Sequence, residues 1–72
     1  MDTLGQINTE FKQALSYENK YAKITALSNL AKNTASSSIP IAIKDRILKT
    51  ISEHNLQIVG LMDRDLNPCF EF

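Results

Sequence analysis

Pro40 constrains this chain more than any other residue. A proline has no N–H to donate and its ring clashes with the preceding turn, so it is excluded from helix interiors but accepted in a first turn. Close behind it, Ile43, Ile47, Leu48 and Ile51 recur at the spacing of one helical face, which Ile41 widens. Asp45, Arg46, Lys49 and Glu53 fall on the opposite side, and Asp45 with Lys49 is an i,i+4 pair in the favourable order. The pattern predicts a helix over 39–54, with Ser38 as its cap and Asn55 in a left-handed closing position.

Upstream, Leu4, Ile7, Phe11, Ala14 and Leu15 trace a second apolar face, with Glu10, Lys12 and Gln13 pointing away. This predicts a first helix over 3–16, capped by Asp2 or Thr3. "SYENK" interrupts the pattern, and Ser16 or Asn19 can cap a further helix over 19–32. Its expected face carries Tyr17, Tyr21, Ile24, Leu27 and Ala31. No glycine or proline forces a break here, so one bent helix over 3–32 fits the same spacing. "NTASSS", residues 33–38, is small and polar and reads as a loop.

After residue 55 the rhythm changes. "LQIVGLM" is short, rich in branched residues and contains Gly60, which reads as a strand over 56–62. "DRDLN" is a turn cluster. "PCFEF" reads as a second strand over 68–72, with Phe70 and Phe72 on one face. The expected fold class is therefore α+β: three short amphipathic helices followed by a C-terminal two-stranded antiparallel hairpin, in a single domain of 72 residues. A lone hairpin is marginally stable and has two open edges, so the reading also predicts a homodimer paired through it.

Composition narrows the function. A chain this short buries only about 60% of its extended-chain surface, so its core is marginal without help. Cys69 is the single cysteine, which rules out an internal disulfide; with His54 the single histidine, a four-ligand zinc site lacks its donors. No metal or cofactor is expected. Eight basic and eight acidic residues cancel, so no bulk field draws the chain to nucleic acid or anionic lipid. No apolar run is long enough for a membrane span, and the N-terminus lacks a signal-peptide layout, so the reading is of a cytoplasmic protein without membrane insertion.

The residues that carry chemistry elsewhere have simpler roles here. His54 and Cys69 would supply a nucleophile–base pair, but no orienting third group or oxyanion turn is recognisable, so they read as a helix-terminal histidine and a packed thiol. Asp63 and Asp65 lack the glycine and distal glutamate of a calcium loop and read as turn formers. The serine run has no glycine and is no phosphate loop. Tyr17 and Tyr21, one turn apart, read as a core edge with wet hydroxyls. The expectation is a non-enzymatic protein.

One order of elements carries a resemblance. "ITALSNLAKNT", "ASSS", "IPIAIKDRILKTI" and "VGLMDRDLNPCFEF" follow the helix, turn, recognition helix and wing of a winged helix-turn-helix. That resemblance implies DNA binding, with Lys44, Arg46, Lys49 and Arg64 as the contacts. Against it, the start of the recognition helix is apolar rather than basic, and acidic residues alternate with the basic ones.

The primary expectation rests on surplus. Ile39, Ile41, Leu56, Val59, Leu61, Leu66 and Phe72 cannot all face inward on so short a frame, and an outward apolar patch marks an interaction site. The chain is read as a protein-binding regulator or inhibitor, with Val59, Leu61, Leu66, Phe70 and Phe72 as the binding residues, acting through the hairpin edge or a helix groove. Its size suits regulators of the kind that phages and plasmids encode. A third reading makes it part of a larger enzyme or sensor.

Overall fold

The structure, a computed structural model, describes residues 3–63 and Leu66. It contains three helices: α1 (Thr3–Leu15), α2 (Lys20–Ala35) and α3 (Ile41–Ile58). Helix α2 packs against both α1 and α3. Among the described residues there is no strand.

Helices α1 and α2 are separate, not one bent rod. The Ser16 N–H donates to the carbonyls of Lys12 and Gln13, both at 3.1 Å, and its hydroxyl donates to the Gln13 carbonyl at 2.6 Å. Asn19 then sits in extended backbone, φ −79° and ψ 125°. Its Oδ1 accepts from the N–H groups of Tyr21 at 2.8 Å and Ala22 at 3.3 Å. Two of the orphan donors of the new helix are thereby satisfied, so the break is encoded by a cap rather than by glycine or proline.

Helix α2 runs on through Asn33, Thr34 and Ala35, which the sequence reading placed in a loop. Thr34 is fully buried, and its hydroxyl donates to the Leu30 carbonyl at 2.8 Å. That bond satisfies the polar group within the helix, so a threonine can take a core position. The buried stripe of α2 is Leu27, Leu30 and Thr34, whereas Tyr21 faces solvent.

Ile39 is buried to 9% exposure and anchors the connection beneath α3, so it is not part of the apolar surplus. Helix α3 starts at Ile41 with Pro40 in the N-cap position, and no side chain caps it. The expected Ser38 cap is overturned. In its place, Lys44 fastens the corner: its Nζ donates to the Ala35 carbonyl at 3.1 Å and the Ser37 carbonyl at 2.9 Å. A cation thus serves the open C-terminal end of α2.

The α+β expectation is corrected at the other end of α3. Leu56, Gln57 and Ile58, expected in a strand over 56–62, are helical. The cause is His54, which is buried to 4% exposure and occupies a core position. With it included, Ile47, Ile51, His54 and Ile58 keep a spacing of four, three and four residues, which is helical and not strand-like. Asn55, expected in a left-handed closing position, is one turn inside the helix. Gly60 takes that role at φ 82°. Its N–H donates to the Gln57 carbonyl at 3.1 Å, and the Leu61 N–H reaches back to the Leu56 carbonyl at 2.9 Å. This pair of bonds is the Schellman motif, which favours glycine at the left-handed position. The second expected strand, 68–72, lies outside the described residues.

The core joins Ile7, Phe11 and Ala14 of α1, Leu27 and Leu30 of α2, Ile39, and Ile47 and Ile51 of α3. Phe11, Leu27 and Ile47 are completely shielded from solvent, each contributing about 1.5–3 kcal/mol of transfer free energy.

Candidate protein-binding surface

The end of α3 displays its apolar side chains to solvent. At about 100° per residue, Leu56 lies about 180° from Ile47, opposite the core, with Val59 one turn further along. Leu56 is 38% exposed, Val59 49% and Leu61 77%. The Schellman turn at Gly60 carries the chain off the helix axis directly between Val59 and Leu61. Three large apolar residues therefore stand outward within six positions, with no lysine or arginine between Lys49 and Asp63.

Of the expected binding residues, Val59 and Leu61 are on this surface and Leu66 is half-buried, while Phe70 and Phe72 lie outside the described residues. The strand reading hid the relation of Leu56 to Val59. On a strand these two would point to opposite faces, whereas on a helix they are neighbours. Ile41 is 75% exposed, but it stands at the other end of α3, about 22 Å away at 1.5 Å per residue.

Of the residues singled out for DNA, Lys44 is half-buried and bonded to backbone carbonyls, Arg46 and Lys49 are exposed next to the exposed Asp45, and Arg64 lies outside the described residues. The segment assigned to the wing opens with the C-cap of α3 and a left-handed glycine. His54 packs against the Phe11 ring in the core. Asp63 is exposed, whereas Asp65 and Cys69 are outside the described residues. Tyr17 and Tyr21 are 43% and 70% exposed, and the Lys20 ammonium lies 5.6 Å from the centre of the Tyr21 ring. Among the described residues no three histidines, cysteines, aspartates or glutamates come together, and no helix is long and apolar enough to cross a membrane.

The chain matches no protein-family model, and no curated protein or solved structure is detectably similar to it.

Proposed function

We propose that this chain works by binding another protein, with Leu56, Val59 and Leu61 as the docking surface. The observation that carries the reading is the outward apolar end of α3. A second observation favours this surface as a rigid one. Its side chains project from a helix end fixed by three backbone hydrogen bonds: Val59 to Asn55, Gly60 to Gln57 and Leu61 to Leu56. A rigid apolar anchor loses little conformational entropy on binding. The partner would offer an apolar groove or helix face, in the manner of helix-in-groove recognition. A regulator or inhibitor is the role that suits such a small binding module.

Site-specific photocrosslinking tests the proposal. A photoreactive amino acid at Leu61, introduced in the native host, should give a discrete protein adduct. The same group at Lys12, exposed on α1, should not. Equal labelling at both positions, or none at Leu61, contradicts the proposal.

A further inference from the structure

The seam between α1 and α2 holds a run of adjoining cavities on the described residues. One, of about 240 Å³, is lined by Glu10, Gln13, Ala14, Tyr17, Asn29 and Asn33 among others. Towards the far end of α1, a second of about 240 Å³ shares Glu10 and Asn33 with it and extends to Gln6 and Ser37. In the other direction a third shares Tyr17, Ala26 and Asn29 and reaches Tyr21. The three form one groove. From Gln6 to Gln13 it follows about 10 Å of α1, and it continues past the end of that helix to Tyr17.

The walls follow from helical spacing. Gln6, Glu10 and Gln13 succeed one another at four and three residues along α1, Tyr17 follows in the connection to α2, and Asn29 and Asn33 are one turn apart on α2. Ala14 and Ala26 keep the floor low. The walls therefore carry primary amides, each offering both donors and an acceptor. The side chains of Gln13, Asn29, Asn33 and Glu10 make no hydrogen bond to another described residue. Glu10 is half-buried, lines two of the three cavities and, among the described residues, is the only charged one that lines any of them.

We infer that this groove binds an extended, basic peptide segment. Amides on two facing helices can pair with the N–H and C=O groups of an extended backbone, which needs both donors and acceptors at close intervals. The Glu10 carboxylate selects an arginine or lysine side chain from that segment by charge. The exposed ring of Tyr17 lines the same cavity as Glu10, where it can cover the stem of a long basic side chain. The groove lies on α1 and α2, whereas the apolar surface lies at the end of α3, so the two proposals stand or fall separately.

The test is an NMR titration of the isotope-labelled full chain with an acetylated glycine–serine heptapeptide bearing one central arginine. Saturable shifts are expected, concentrated on the side-chain amides of Gln13, Asn29 and Asn33. A peptide with glutamate in place of arginine should bind about tenfold more weakly, as should the arginine peptide to Glu10→Gln. Asn29→Ala should weaken binding roughly threefold. The inference is overturned if no saturable shifts occur, if they fall outside the groove, or if Glu10→Gln binds the arginine peptide as tightly as the wild type.

Discussion

Phe11 of α1 and His54 of α3 meet edge to face, their ring centroids 4.9 Å apart and their planes at 88°. Both are buried, and the contact ties together the two helices that flank α2. Urea denaturation of Phe11→Ala, His54→Ala and the double variant measures this link. Phe11→Ala should cost about 3–5 kcal/mol. The coupling energy from the cycle should be about 0.5–1.5 kcal/mol, the range for a well-oriented aromatic pair. Additive losses would mean that the two rings are merely neighbours.

Gly60 distinguishes the helix-end geometry from the strand that the sequence suggested. No described residue lies within 4 Å of where a Cβ would stand, so the penalty for a side chain comes from the backbone at φ 82°. Gly60→Ala should destabilise the fold by about 1–2 kcal/mol, seen as a lower urea midpoint at unchanged slope. In a strand the same change would leave stability the same or raise it, because glycine weakens strands.

The caps predict graded effects. Asn19→Ala removes the acceptor for two N–H groups and should cost about 1 kcal/mol, while Asn19→Asp should retain most of it. Lys44→Met keeps the stem but loses the bonds to the Ala35 and Ser37 carbonyls. Because Lys44 is only half-buried, the loss should be about 1 kcal/mol. Amide exchange should quicken at Ser36 and Ser37 before it does in α1.

Much of the helical frame is legible in the sequence, and the parts that are not have identifiable causes. The apolar spacing around Phe11, Leu27, Ile47 and Ile51 locates all three helices, and Asn19 is readable as a cap. The ends are harder because they turn on single polar residues in unusual places. Thr34 and His54 look like helix-ending residues by type, yet both are buried and continue their stripes. Once His54 is counted as polar, "LQIVGLM" loses its helical phase and its branched residues suggest a strand. Pro40 marks the start of α3 to within a residue, but nothing in the local sequence reveals that Ile39 turns inward as an anchor. Of the proposed docking surface, Leu56, Val59 and Leu61 are all visible as apolar surplus. The pairing of Leu56 with Val59 and the α1–α2 groove emerge only when the helical register is known.

The most direct test of the central claim, that the apolar end of α3 docks a protein, is the size at which the chain runs in native host extract. Val59→Asp combined with Leu61→Asp places charge on exposed positions and should leave the helical circular dichroism unchanged. The account predicts that the wild type elutes well above its 8.1 kDa mass and that the double variant elutes as a free chain. Identical elution of the two folded proteins would contradict it.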